Sequence, residues 1–151
     1  MRARDLAQPF ATVGLEDSAL EAARAMAEAG RPGIVVLGED GTPWTVLPGS
    51  QVLRLAIPKY VQEDPHLARV YDEKGADELF ARLEGKVVRD LVPGHREQDE
   101  LPVVDPDATS IEVAAVMARM RSPLAVVSDG DEILGVVTVS RLLRALLPKD
   151  A

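Results

Sequence analysis

The chain has 151 residues, enough for about one domain, and its 46% hydrophobic but only 3% aromatic content implies a core of Val, Leu, Ile and Ala. A net charge of −8 opposes the phosphate-neutralising surface that nucleic-acid binding needs, and the lack of cysteine excludes disulfides, thiolate metal sites and a Cys nucleophile. The sequence has no signal-peptide h-region and no apolar window of about 18 residues, so the expectation is a cytoplasmic protein without direct membrane insertion.

Arg4-Asp5-Leu6 comes first, followed by the short β-branched pair Thr12-Val13. Ser18-Ala19-Leu20-Glu21 fits the capping box, in which a hydroxyl and a carboxylate satisfy opposing backbone N–H groups at a helix start. Apolar residues at Leu20, Ala23, Met26 and Ala27 predict the core-facing stripe of that helix, and Gly30 its C-terminal cap. Ile34 to Leu37 reads as a buried strand, Gly38 to Gly41 as a turn and Trp44 to Leu47 as a second strand. A closing helix from Ser50 to Ile57 is stopped by Pro58.

The stretch 59–86 has no counterpart elsewhere in the chain. Asp64-Pro65 offers an N-cap followed by proline, which predicts a short helix over 65–74 with Gly75 as its stop. A second helix over 76–84 would show Leu79, Phe80 and Leu83. The insert reads as a cover on the edge of the fold, with a docking surface or lid as the alternative. His66 in the insert, and His95 beyond it, read as solvated residues with no role.

From Val87 the first pattern returns. Arg89-Asp90-Leu91 repeats the opening, Thr109-Ser110-Ile111-Glu112 repeats the capping box, and Ile111, Ala114, Met117 and Ala118 repeat the stripe. Met26, Met117 and Met120 read as core packing. Leu124 to Val127, a turn at Ser128 to Asp131, Ile133 to Thr138 and a helix from Ser140 to Leu147 complete the second copy, with Pro148 behind it. The acidic run Glu97 to Glu100 reads as a solvated connector. Each copy thus runs strand, helix, strand, strand, helix, an α/β (α+β) unit whose small sheet has one naked face and must pack on its twin. Residues 1–58, 59–86 and 87–151 are first copy, insert and second copy of one module.

Gly135-Val136-Val137-Thr138-Val139-Ser140-Arg141 resembles the signature of the cystathionine β-synthase (CBS) domain: Gly, two apolar residues, Ser or Thr, two variable residues, then Asp. The resemblance spans both copies and implies a CBS pair, or Bateman module: tandem β-α-β-β-α repeats packed with pseudo-twofold symmetry. Such pairs commonly form homodimers through their helices and bind AMP, ADP, ATP or S-adenosylmethionine in clefts between the units. The implied second-copy site comprises Val103, Pro123, Leu124, Ala125, Thr138, Ser140 and Arg141. Its first-copy counterpart comprises Thr12, Pro32, Gly33, Ile34, Ser50 and Gln51. A hydroxyl beside a helix N-terminus, as at Thr138, suits a phosphate.

Both copies depart from the signature, the first more than the second. Arg141 and Gln51 stand where the signature has Asp, and Pro48 replaces the Ser or Thr in the first copy. Proline supplies neither a hydroxyl nor a backbone N–H. Arg141 is either a surface residue or a fork for phosphate oxygens. The resulting expectation is a regulatory sensor of an adenosine-containing ligand that signals to a separate transporter or enzyme. The alternative is a ligand-free dimerisation module. With no Ser-His-Asp order, glycine-rich phosphate loop or metal cluster, an enzyme is not expected, and neither is a required cofactor or metal.

Overall fold

The computed structural model describes residues 1–92 and 101–149. The connector Glu97 to Glu100 and His95 lie outside the described residues. The first copy contributes α1 (Ala3–Leu6), β1 (Thr12–Gly14), α2 (Ala19–Ala29), β2 (Gly33–Leu37), β3 (Pro43–Pro48) and α3 (Gly49–Ala56). The insert holds α4 (Lys59–Glu63), a 3₁₀ turn (Pro65–Val70) and α5 (Glu73–Ala81). The second copy contributes α6 (Val88–Leu91), β4 (Val103–Val104), α7 (Ser110–Met120), β5 (Leu124–Asp129), β6 (Glu132–Thr138) and α8 (Val139–Leu146).

The strands form two three-stranded sheets, β1-β2-β3 and β4-β5-β6. In each sheet the central strand pairs parallel to the first and antiparallel to the third, and the antiparallel ladder shifts register at the matching points Val36/Leu37 and Val127/Ser128. One face of each sheet carries its own helices. The opposite faces meet through Val35 on one side and Leu124, Val126 and Val136 on the other, all buried, with Leu37, Val46 and Ile133 packed around them. Alternating β-branched residues make this possible, since successive side chains on a strand point to opposite faces.

The helix starts follow from local chemistry. Ser18 Oγ accepts from Glu21 N at 3.2 Å and Thr109 Oγ1 from Glu112 N at 3.2 Å. Gly30 ends α2 in the left-handed region at φ 63°. The buried stripes, however, are rotated from the predicted ones. In α2 the buried residues are Ala19, Ala22 and Met26, with Leu20 and Ala23 only half-buried and Ala27 exposed. In α7 they are Val113 and Met117, while Ile111 is 66% exposed and Ala118 lies outside.

The cause is a crossing of the two copies. The short helix α6 of the second copy buries Val88 and Leu91 in the first copy's core, against Ala19, Ala22 and Met26. Conversely, α1 buries Ala3 and Leu6 in the second copy's core with Val113, Met117 and Val137. Backbone hydrogen bonds hold both exchanges: Ala3 N donates to Ala108 O at 2.8 Å, Arg4 N to Pro106 O at 3.0 Å, Val88 N to Asp17 O at 2.9 Å and Arg89 N to Leu15 O at 2.8 Å. Matching exposed ion pairs, Arg4–Asp107 and Arg89–Glu16, each 2.6 Å, join each exchanged helix to the other copy. Each carboxylate holds its guanidinium above its ordinary pKa, chiefly through the hydrogen bond. Being exposed, such pairs orient more than they stabilise.

Beyond α1 the chain crosses β6, where Gln8 and Val136 exchange backbone hydrogen bonds of 2.8 and 3.1 Å. Gly135 sits beneath this crossing. A Cβ there would lie 2.7 Å from Gln8 O and 2.9 Å from the Ala7 Cβ, closer than packed atoms approach.

In the insert, Asp64 accepts from His66 N at the start of the 3₁₀ turn, as the Asp-Pro pair predicts. Gly75 does not end a helix. It lies in the first turn of α5, its N–H donating to Asp72 Oδ1 at 2.8 Å, so Asp72 is the start signal and the glycine avoids crowding Tyr71. The helix α4 was not predicted; Gln62 fastens it by donating to the carbonyls of Arg54 and Ile57. Leu83 is 2% exposed and joins the first copy's core, whereas Val70 is 84% exposed at the tip.

Leu6→Ala, though near one end of the chain, is expected to destabilise it by about 2–5 kcal/mol in urea unfolding, because it empties a site in the second copy's core. Gly135→Ala is expected to cost about 1–3 kcal/mol in the same assay, since the rigid backbone at Gln8 must move away. An unchanged midpoint for Leu6→Ala would rule out the exchange.

Candidate functional site

Two strand-to-helix junctions, related by the duplication, flank the contact between the sheets. At the second, Thr138 ends β6 and caps α8. Its Oγ1 accepts from Arg141 N at 3.3 Å and donates to Gln8 Oε1 at 3.4 Å. The first N–H of α8, on Val139, goes to Pro123 O at 3.2 Å. From the first copy Arg31 reaches over, donating from Nη1 to Gln8 Oε1 at 3.4 Å and from Nη2 to Pro9 O at 3.3 Å. Arg141 turns toward α1, where Nη2 donates to Asp5 O at 3.4 Å. Its Nε is enclosed without a hydrogen-bond partner. A buried donor left unsatisfied costs about 1–3 kcal/mol.

The Gln8 amide oxygen therefore takes both the Thr138 hydroxyl and the Arg31 guanidinium, and the adjoining recess is nearly closed. That recess encloses only about 10 Å³ of water-accessible space among apolar walls that include Phe10, Ala29, Gly33, Ile34, Leu124 and Val136. This is about one water's worth, far below the 300 Å³ or so that a small-molecule pocket needs.

The first junction is open. A cleft of about 490 Å³ is lined by Thr45, Val46 and Pro48 on the first copy and by Pro102, Arg119, Met120, Arg121, Ser122 and Pro123 on the second. Pro48 precedes α3 without a side-chain cap, and Gly49 N donates to Pro32 O at 2.9 Å. Arg121 ends α7 in the left-handed region, φ 51° and ψ 39°, where the matching position of the first copy is Gly30. It is the only non-glycine residue with positive φ among the described residues. A side chain there costs about 1 kcal/mol that a glycine would not.

The residues singled out in the sequence are dispersed around both junctions. Thr138, Ser140 and Arg141 share the second, Ser140 pointing to solvent. Pro123 supplies its carbonyl to α8 but also lines the open cleft of the first junction. Leu124 is buried between the sheets and lines the closed recess. Ala125 is fully buried in the second copy's core and presents nothing to a cleft. Val103 is 37% exposed on β4. In the first copy, Gly33 and Ile34 line the recess of the second junction, Thr12 is half-buried beside Val35, and Pro32 and Ser50 are exposed. Gln51 is half-buried in the first turn of α3. Met26 and Met117 are core residues, as expected, but Met120 lines the open cleft.

Gln8, Arg31, Arg119 and Arg121 were not singled out. Only Arg121 had a legible signal, its alignment with the cap Gly30. Among the described residues no cluster of three metal-ligating side chains occurs, and no helix is long and apolar enough to cross a membrane.

The model of the CBS domain matches residues 88–148, the second copy. A CBS domain-containing protein of unknown function from Kribbella flavida is 47% identical over 97% of this chain and 98% of its own, with a TM-score of 0.77. The CBS domain of a membrane protein from Sphaerobacter thermophilus is 23% identical, covering 99% and 90%, with a TM-score of 0.69. CBSX2 of Arabidopsis thaliana, in a structure with AMP, is 21% identical, covering 95% and 94%, with a TM-score of 0.62. No curated protein matches the chain. With two copies of one unit packed sheet to sheet, the signature at Gly135 to Thr138 and a full-length relative at 47% identity, the chain belongs to the CBS-domain family.

Proposed function

We propose that the chain is a regulatory module, not a catalyst, that binds an adenosine-containing ligand between its two copies and signals to a separate transporter or enzyme in the cytoplasm. The observation that carries this reading is the 490 Å³ cleft, of ligand size, whose lining combines apolar Val46, Pro102 and Pro123 with Arg119, Arg121 and Ser122. In a chain of net charge −8, guanidiniums stand at both junctions, Arg31 and Arg141 at one and Arg119 and Arg121 at the other. That pattern suits a phosphate-bearing ligand such as AMP, ADP or ATP. The CBSX2 structure contains AMP, which supports the ligand class by likeness of fold.

The site supported here differs from the sequence expectation in one respect. At the second junction Thr138 is bonded to Gln8 and the adjoining recess has room for about one water, so the first junction, despite Pro48, offers the room.

The module acts as a homodimer. Leu53 and Leu143, at matching positions on α3 and α8, are 53% and 47% exposed, and Val139 and Leu147 extend the apolar surface on α8. Apolar side chains clustered on exposed helix faces favour association. The same surface supports a second reading, a dimerisation module without a ligand, which Gln51, Pro48 and the small recess at the second junction favour.

Thermal unfolding of the purified chain with AMP, ADP, ATP or S-adenosylmethionine separates the two. A ligand at about 100 times its Kd adds about 2.7 kcal/mol, or about 5–10 °C in midpoint for a chain of this size. No shift with any of them at millimolar concentration leaves the dimerisation reading. In light scattering after gel filtration, the double variant Leu53→Asp with Leu143→Asp is expected to move the chain from dimer to monomer with the fold retained by circular dichroism. A variant that stays dimeric places the interface elsewhere.

A further inference from the structure

We infer that Arg121 is the specificity-determining residue of the open cleft, anchoring a di- or triphosphate chain and selecting it over a monophosphate or a cationic ligand. The inference rests on the reading that this cleft binds an adenosine-containing ligand. The two copies end their matching helices differently. The first uses Gly30 at φ 63°, which needs no side chain there, and the second holds Arg121 at φ 51° against the ordinary preference of an L-residue. The backbone conformation closes the helix end, Arg121 N donating to Ala118 O and Ser122 N to Met117 O, but among the described residues the Arg121 guanidinium makes no hydrogen bond or ion pair, so no internal contact explains a side chain there.

Its side chain is exposed at the lip of the 490 Å³ cleft, next to Ser122 and two residues from Arg119. A guanidinium at a lip gains most from a ligand whose charge extends out of the cleft, because its planar fork can take two phosphate oxygens at once. A polyphosphate chain has that shape and charge; the sulfonium of S-adenosylmethionine is repelled. The recess at the second junction has Gly30 in the corresponding place, and the adjacent Arg31 is bonded to Gln8 and Pro9.

The test is calorimetric titration of the full chain, unaltered and as Arg121→Gly and Arg121→Asn, with AMP, ATP and inorganic tripolyphosphate. Each variant's unfolding midpoint is measured without ligand. Glycine and asparagine both tolerate the left-handed region, so neither variant needs to disturb the helix end. Expected are an ATP affinity at least about tenfold above that for AMP, and a loss of about ten- to a hundredfold for ATP and tripolyphosphate in both variants. The loss for AMP should be smaller, and the Arg121→Gly midpoint unchanged or higher.

ATP affinity within about twofold of the unaltered chain in both variants overturns the inference while leaving the ligand reading intact, as does equal affinity for AMP and ATP. A lowered midpoint in both variants assigns Arg121 to capping the helix and overturns it as well. Tripolyphosphate binding that depends on Arg121, without binding of either nucleotide, sustains the anchor and sinks the adenosine reading. No binding of any probe overturns both.

Discussion

Burial of each copy's leading helix in the other copy's core is the constraint from which the remaining geometry follows. Ala3 and Leu6 lie under the second sheet, and Val88 and Leu91 under the first. Once these are exchanged, the chain after α1 must run across the edge of β6, which requires a glycine at position 135 and delivers Gln8 to the Thr138 junction. The interface between the sheets, with Val35 facing Leu124, Val126 and Val136, closes over the same arrangement. Neither copy has a complete core without the other's first helix, so the pair behaves as one cooperative unit.

Although the exchange is reciprocal, the two junctions differ among the described residues. The chain crossing at Gln8 ties Arg31, Thr138 and the edge of β6 together and leaves a recess with room for about one water. At the other junction Pro48 offers no hydroxyl and the cleft stands open. The family signature is thus retained where the space is filled and eroded where space exists. Charge is distributed differently: both junctions keep arginines, though the chain as a whole is strongly acidic.

Features decided by near neighbours were legible in the sequence. The caps at Ser18 and Thr109, the strands and the turn at Gly38 to Gly41 depend on a few adjacent residues and appeared where the patterns placed them. Features decided by distant packing were not. Hydrophobic periodicity on α2 pointed to Leu20 and Ala27, but Ala19 and Ala22 are the buried residues because α6 presses on them, and small side chains there allow the approach. Repetition of Arg4-Asp5-Leu6 as Arg89-Asp90-Leu91 revealed equivalence without revealing which core each helix enters. Gly75 was misread because a glycine near a helix start and one near a helix end look alike until the cap at Asp72 is seen. For the site, the hydroxyl at Thr138 was legible from the signature, whereas Gln8 came from a segment more than a hundred residues away, beyond the reach of any local pattern.

The exchange has a consequence for the order in which the chain can mature during synthesis. Residues 3–6 leave the ribosome about a hundred residues before the groups that enclose them, Pro106, Ala108, Val113 and Val137. Closing so long a loop comes late, since its entropy must be spent before the buried contacts repay it. Ala3 and Leu6 therefore stay uncovered until the second copy has been made. A nascent chain that meets a neighbour at that stage could insert its first helix into the wrong molecule, producing an interlocked pair whose contacts are the native ones.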